Sequence, residues 1–130
     1  TMYETGDQNF TDHTSIAKAL AHFAANIHNH KVLHKDFTPG NVLWKKDDEG
    51  YQFMIVDINR MNFGTVSIKK GLYNLRKFWG PKEFMKTLAS EYALIRNANP
   101  EEAVDYVMKE RAKFWKRYQK KHEIPFLLEL

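Results

Sequence analysis

Four polar side chains in the first half of the sequence have types and spacing that suit phosphate and metal chemistry. His34, Asp36 and Asn41 lie within one short segment, HKDFTPGN, and Asp57 follows an apolar run further along the chain. A carboxylate and an amide oxygen are hard donors of the kind that Mg²⁺ binds while it shares its other ligands with water and phosphate. A second carboxylate nearby can accept the proton of an attacking hydroxyl. The pattern indicates phosphoryl transfer if the fold brings these side chains together.

A predicted β-hairpin brings the two metal-binding candidates together. Two apolar runs, at 41–44 and 51–56, are separated by the charged segment KKDDEG, which reads as a hairpin with a solvated tip. Asn41 lies at its entrance and Asp57 at its exit. Because the two ends of an antiparallel pair are neighbours, we expect these side chains to lie side by side, with Asp36 on the loop just before them.

The rest of the chain is predicted to be mainly helical. Apolar residues from Ile16 onward recur at spacings of three and four, which predicts a helix that ends near 29–31. The chain from 66 onward is predicted to be helical, with breaks at 80–81 and 97–100 and a last helix at about 100–121. Residues 32–33 are too short for more than a fragment of strand, and 58–64 is predicted to be a loop. The expected fold class is α+β, mainly α, with a small antiparallel β-hairpin next to a helical bundle.

Composition sets broad limits on the protein. The chain of 130 residues is about one domain long, and 43% apolar residues are enough for a packed core. It has no cysteine, which excludes disulfides and thiolate metal sites. No apolar run is long enough to cross a bilayer, and no secretory signal is visible. The net charge of +4 permits an anionic partner without requiring one.

The polar segment resembles a known catalytic loop. His34, Asp36 and Asn41 are spaced as in the H-R-D-x-x-x-x-N loop of protein kinase-like enzymes, and the order helix, loop, hairpin, aspartate is also similar. The resemblance implies that Asp36 is the catalytic base or hydroxyl-orienting group and that His34 braces the loop. It also implies that Asn41 is both a catalytic residue and a magnesium ligand. Asp57 resembles the aspartate that holds Mg²⁺ against the phosphates of ATP.

The same resemblance implies residues that bind the nucleotide and a second lobe that would cover it. It implies that Leu43 lies under the adenine ring and that Val56 lies just ahead of the metal site. No glycine-rich phosphate loop and no phosphate-binding lysine strand precede Ile16. We therefore expect residues 1–130 to be a kinase-like C-terminal lobe, a fragment without the N-terminal lobe that covers the nucleotide, and to be inactive alone.

Variant details favour one branch of these enzymes. The PGN before the hairpin, D-I-N-R in place of D-F-G, and the stretch N-L-R-K at 74–77 resemble the lipopolysaccharide core (Kdo/heptose) kinase family. The resemblance implies a nucleotide and a sugar or lipopolysaccharide-precursor acceptor as partners, and phosphorylation of a sugar hydroxyl of the lipopolysaccharide inner core. It implies a cytoplasmic protein, peripheral at the inner membrane.

Other functions remain open at this point. The chain can belong to a small-molecule or protein kinase of the same fold, or to a catalytically dead, kinase-like binding module. Asp36 and Asp57 can also merely cap turns.

The last predicted helix is rich in lysine and arginine over 104–121. It is predicted to turn an apolar stripe to the core and a basic face, Arg111 included, to solvent. A second interpretation is contact with an anionic membrane. No nucleic-acid-reading motif accompanies the charge, so a nucleic-acid partner is not expected.

Overall fold

The computed structural model describes residues 1–7 and 9–130 of the chain. In chain order, the helices and strands of this part are α1 His13–Asn29, β1 Val32–His34, β2 Val42–Asp47, β3 Gly50–Ile55, β4 Met61–Phe63, α2 Ile68–Asn74, α3 Lys82–Ile95 and α4 Pro100–Gln119. Short 3₁₀ turns occur at Met2–Gly6, Pro39–Asn41 and Ile58–Arg60. The predicted class, α+β and mainly α, is confirmed.

The core forms between α1 and α3. The periodic positions that predicted the first helix are buried, and Ile16 and Leu20 have no exposed surface. Phe84 and Leu88 of α3 are equally buried in the same cluster. Several alanines on α1 keep its core face small, so the α3 side chains can approach closely. These alanines are Ala17, Ala21, Ala24 and Ala25.

The last helix, α4, begins where the sequence predicted. The side chain of Asn99 accepts a hydrogen bond from the backbone N–H of Glu102 at 3.0 Å, and Pro100 occupies the first helical position. Ala103 and Val107 pack into the core. None of the helices in the described part is long and apolar enough to cross a bilayer.

The buried stripe of α4 contains a charge. Arg111 has no exposed surface, so its assignment to the solvated basic face is wrong. Its Nε donates to the carbonyl of Phe78 and its Nη2 to that of Gly80, each at 3.0 Å, and Nη1 donates to the carbonyl of Glu129. Burial lowers the pKa of Arg111 to about 10. The guanidinium therefore joins α4 to the segment after α2 and to the C-terminal tail.

The predicted hairpin is present; β2 extends further toward the tip than its apolar run predicted, and β3 begins one residue earlier than predicted. Val42 pairs with Ile55 at its base and Asp47 with Gly50 at its end, so only two residues form the tip. Gly50 has a φ of 110°, a backbone conformation that side chains disfavour. The strand ends were not predicted because the charged residues of KKDDEG resemble a loop. These residues are tolerated in the strands because they lie at a solvent-exposed edge. At the start of α1, Asp12 accepts hydrogen bonds from the side chains of Lys46 and Tyr51, which join the hairpin to the helical core.

Two further predictions about local structure are wrong. Strand β4 lies within the predicted loop 58–64 and pairs antiparallel with β1. In this pairing Val32 lies opposite Phe63, and His34 lies opposite Met61. Helix α2 ends at Asn74, well before the predicted break at 80–81. Strand β4 depends on a partner distant in sequence, which propensity over a short window does not contain.

Candidate active site

His34 fixes the loop that follows β1. Its ring is fully buried and its Nε2 donates to two successive carbonyls, Val56 at 2.9 Å and Asp57 at 3.1 Å. Its Nδ1 accepts from the backbone N–H of Asp36 at 3.0 Å. These partners define the tautomer, because one nitrogen donates and the other accepts. The histidine thus joins the backbone of the HKDFTPGN loop to the exit of the hairpin, which agrees with the bracing role expected of it.

Asp36 and Asn41 are in direct contact. The Asn41 Nδ2 donates to the Asp36 main-chain carbonyl at 2.9 Å and to the Asp36 Oδ2 at 3.2 Å. Within residues 1–7 and 9–130, no hydrogen bond engages the Asn41 Oδ1. The amide therefore orients the carboxylate with its nitrogen and keeps an oxygen available for another ligand.

Asp57 lies next to this pair through the backbone. The N–H of Val56 donates to the carbonyl of Asn41 at 2.9 Å, so the entrance and exit of the hairpin are directly joined. Asp57 adopts a left-handed conformation with φ of 64° and is exposed. Such a conformation is uncommon for a residue with a side chain and is frequent at functional sites. No hydrogen bond of the described residues joins the Asp57 carboxylate to Asp36 or Asn41, so the structure brings together the backbone of all three and the side chains of two.

Lys77 is a neighbour of Asp36 to which sequence reasoning gave no role. Its Nζ lies 3.6 Å from the Asp36 Oδ1, and its side chain is only 20% exposed. The residue belongs to the N-L-R-K stretch, but a pairing across the segment after α2 is not visible in local spacing. Lys77 holds the carboxylate at the edge of an open cavity.

That cavity, of about 790 Å³, lies beside Asp36 and Thr38. One wall is aromatic and comes from the segment after α2, from α4 and from the C-terminal tail. The side chains of this aromatic wall are Trp79, Phe114, Trp115, Tyr118 and Phe126. The volume falls in the range of about 300–1,000 Å³ that is typical of small-molecule sites. Their apolar spacing predicted core packing for Phe114, Trp115 and Tyr118, and no pattern in the sequence indicated the cavity.

The outer face of the hairpin carries the residues expected near a nucleotide base. Leu43 and its cross-strand partner Met54 are 36% and 64% exposed, whereas Val42 is fully buried on the opposite face. Val56 lies one residue beyond the end of β3, next to Asn41 through its backbone N–H. Leu43 and Met54 form an exposed apolar platform, and Met54 is a member that the sequence did not reveal.

A magnesium ion is expected from the resemblance, and the donor chemistry of the hairpin end fits it. In the part of the chain that the structure describes, no group of three or more His, Asp or Glu forms a metal cluster. The available donors are the Asn41 Oδ1 and the exposed Asp57 carboxylate. Two oxygen ligands suit Mg²⁺, which retains waters and takes its other ligands from substrate phosphates.

A chain of buried hydrogen bonds supports the loop from below. The Asn74 Nδ2 donates to the His34 carbonyl at 2.8 Å, and the Asn74 Oδ1 accepts from the His28 Nε2 at 3.0 Å. The His28 Nδ1 accepts from the Tyr92 hydroxyl at 2.6 Å, and Arg96 donates to that hydroxyl at 2.8 Å. Three helices are thereby connected to the backbone of the candidate catalytic loop. Asn74 belongs to the N-L-R-K stretch, but no pattern in the sequence indicated that its side chain contacts His28 and the loop.

We expect the network to make folding stability sensitive to mild acid. Desolvation, then the charge of Arg96, lowers the pKa of His28 from 6.5 to about 4, although the Asn74 hydrogen bond partly opposes this change. Between these values the unfolded chain binds the proton and the folded chain does not, so stability is complete above pH 6.5 and falls as pH decreases toward 4. The loss between pH 8 and pH 5 is expected to be about 2 kcal/mol. Urea unfolding at a series of pH values measures it.

A matched pair of variants isolates this contribution. His28→Gln should reduce the slope of stability against pH between pH 8 and pH 5, whereas His22→Gln, at an exposed site on the same helix, should leave it unchanged. Equal slopes for wild type and His28→Gln would exclude His28 as the origin.

The basic surface of α4 is smaller than predicted but remains substantial. The exposed cations are Lys109, Lys113, Lys116 and Arg117 on α4 and Lys120 and Lys121 directly after it. Lys113 forms an ion pair with Glu110 at 3.3 Å, and Arg111 is buried. Contact of this face with an anionic membrane stays a prediction.

Comparison with known proteins agrees with the geometry of the loop. The model of the lipopolysaccharide kinase (Kdo/WaaP) family matches residues 2–88. The matched range contains His34, Asp36, Asn41 and Asp57, and it ends within α3. No curated protein matches the chain. Helix α4 and the C-terminal tail lie outside the matched range.

Proposed function

This chain belongs to the lipopolysaccharide kinase (Kdo/WaaP) family, and from that premise we propose that it is the C-terminal lobe of a kinase that phosphorylates a sugar hydroxyl of the lipopolysaccharide inner core with ATP. The observation that carries the proposal is the contact of Asn41 with Asp36 at the end of the hairpin that leads to Asp57. The same end of the hairpin thus holds a carboxylate that can act as base for the acceptor hydroxyl and the oxygen atoms that can bind a cation. We place the complete kinase in the cytoplasm, at the inner membrane.

In this mechanism, the acceptor hydroxyl attacks the γ-phosphorus of ATP. A bond forms between that hydroxyl oxygen and phosphorus, the bond from phosphorus to the β–γ bridging oxygen breaks, and ADP leaves. Asp36 orients the hydroxyl and accepts its proton. Asn41 orients the Asp36 carboxylate through Nδ2. Mg²⁺, which Asn41 and Asp57 would hold, supplies neutralisation of the phosphate charge.

We propose that the exposed apolar platform on the hairpin binds the base of the nucleotide. Leu43 and Met54 offer apolar contact for the adenine ring, with Val56 next to the metal-binding end. Since these side chains are exposed, we propose that a further lobe of the kinase covers them. The 130-residue chain alone is then expected to transfer no phosphate to any acceptor, and ATP-dependent phosphorylation by the purified chain would contradict this part of the proposal.

Replacing Asp57 with asparagine tests the metal-binding role in the complete kinase. Asparagine tolerates the left-handed backbone conformation, so the change removes charge with little strain. We expect magnesium-dependent ATP binding to weaken by at least about tenfold, since a carboxylate ligand is lost. Calorimetry with and without Mg²⁺ measures the change.

Asp48→Asn, at the exposed hairpin tip, is the matched control and should bind like wild type. Unchanged magnesium dependence in Asp57→Asn would exclude Asp57 as a ligand. If the wild-type kinase binds no Mg-ATP at all, the proposed function itself fails and a kinase-derived binding module becomes the better explanation.

A further inference from the structure

We propose that the cavity beside Asp36 binds the acceptor sugar and that it selects a neutral, hydroxyl-rich ring over a sugar acid. The inference rests on the proposed function, because it assigns the acceptor position to the cavity that Asp36 borders. The position of the cavity, its aromatic wall and the charges around its rim support this assignment.

The position of the cavity suits an acceptor. Asp36 and Thr38 of the catalytic loop both line it, whereas the nucleotide platform of Leu43 and Met54 lies elsewhere, on the outer face of the hairpin. A ring bound in the cavity can therefore place one hydroxyl against the Asp36 carboxylate without competing for the base-binding surface.

The aromatic wall suits a sugar ring. Phe114 and Tyr118 are successive residues on one face of α4, with ring centroids 6.1 Å apart and planes inclined by only 25°. Tyr118 is 36% exposed, so part of its surface is free for contact. Aromatic faces carry partial negative charge, and the C–H groups of a pyranose carry partial positive charge, so the two surfaces attract while hydroxyls remain at the edge.

A stacking contact and the hydrogen bonds of Arg111 hold the aromatic wall in place. Trp79 stacks on Phe126 at a centroid distance of 3.9 Å, and Arg111 fixes the backbone on both sides through Gly80 and Glu129. The cavity shape is thus held by the fold rather than by exposed side chains alone. Of the wall residues, Trp79 lies within the range that the family model matches, and those of α4 and of the tail lie beyond it.

The charges around the cavity decide the class of sugar. Among the described residues that line it, four bear carboxylates, Glu4, Asp7, Asp36 and Glu123, and one bears an ammonium, Lys77. Lys77 is already paired with Asp36. A ring that bears its own carboxylate meets repulsion here, whereas neutral hydroxyls donate hydrogen bonds to these carboxylates. Arg76 lies 5.6 Å from the centre of the Phe114 ring but does not line the cavity.

A matched pair of sugars tests the selection in the complete kinase, without nucleotide. Methyl α-glucopyranoside and methyl α-glucopyranosiduronate differ by one carboxylate, and ligand-observed NMR titration gives both affinities. We expect the neutral glucoside to bind about three- to tenfold more tightly, and the difference to decrease at high salt because the repulsion is screened. Tighter or equal binding of the uronate would overturn the proposal, as would failure of both sugars to bind.

Variants test whether the sugars bind in this cavity, and they separate the contribution of aromatic contact from that of charge. Tyr118→Ala should weaken both sugars, whereas Leu94→Ala, at an exposed apolar site on α3, should weaken neither. Replacing Glu4 and Glu123 together with glutamine should narrow the difference between the sugars at least twofold. A difference in affinity that this double change does not narrow, or binding unaffected by Tyr118→Ala, would contradict the proposal. Because no step requires ATP, failure here is distinguishable from failure of Mg-ATP binding in the proposed kinase.

Discussion

Replacing Asp36 with asparagine in the complete kinase is expected to lower kcat by about 10²–10⁴-fold, the range for loss of a positioned acid–base group. The amide cannot accept the proton of the acceptor hydroxyl, but it keeps the size of the side chain and an oxygen toward the Asn41 Nδ2. The ion pair with Lys77 is also lost. Because the Asp36 side chain is 42% exposed, that pair contributes little to folding stability. A decrease in kcat with an unchanged Tm is therefore the expected signature.

Steady-state kinetics and thermal unfolding of the same preparations separate chemistry from folding. Asp47→Asn, at an exposed position near the end of β2, serves as the control and should retain kcat and Tm. If Asp36→Asn retained kcat within about threefold, Asp36 would have no role as base, since a general base contributes at least about 10²-fold. A fall in Tm that parallels kcat would instead assign Asp36 to the structure of the loop.

The parts of the fold that depend on local pattern were predictable from the sequence. Helix α1 follows from apolar spacing, and the start of α4 from Asn99 and Pro100, because capping and periodicity involve only neighbouring residues. The hairpin was predictable because its two strands are separated by a short charged tip. The contact of Asp36 with Asn41 is likewise local, within five residues of chain.

The parts that were missed depend on contacts across long separations. Strand β4 exists because β1 lies next to it, and neither segment is long enough to show alternation. The ion pair of Lys77 with Asp36 and the hydrogen bond of Asn74 to the His34 carbonyl both cross from α2 or its following turn to the loop. Asn74 and Lys77 belong to the N-L-R-K stretch, but nothing in that stretch indicates which of its side chains contacts the loop. Which polar residue of a helix contacts the candidate catalytic loop is decided by tertiary packing.

Arg111 shows why charge is an incomplete guide to the surface. An arginine on a helix with many lysines is normally solvated, and burial of an unpaired charge is costly. Here three backbone carbonyls, from two segments distant in sequence, compensate the guanidinium. The fork of Arg donors can satisfy several acceptors at once, which a single lysine ammonium at the end of a flexible chain does less well. Nothing in the spacing of α4 distinguishes this position from its exposed neighbours.

The Arg111→Met variant is therefore expected to lower the free energy of unfolding by about 2–4 kcal/mol, because it leaves three carbonyls without their donors. Removal of the desolvation cost that lowers the Arg111 pKa offsets part of this loss. Urea unfolding measures the change, with Arg117→Met, at an exposed site on the same helix, as a control expected to change stability by less than about 0.5 kcal/mol. Equal stability of the two variants would show that the carbonyls of Phe78, Gly80 and Glu129 are satisfied without the guanidinium. If Arg111→Met is destabilised as expected, the same variant should also weaken sugar binding, since Gly80 and the tail support the aromatic wall.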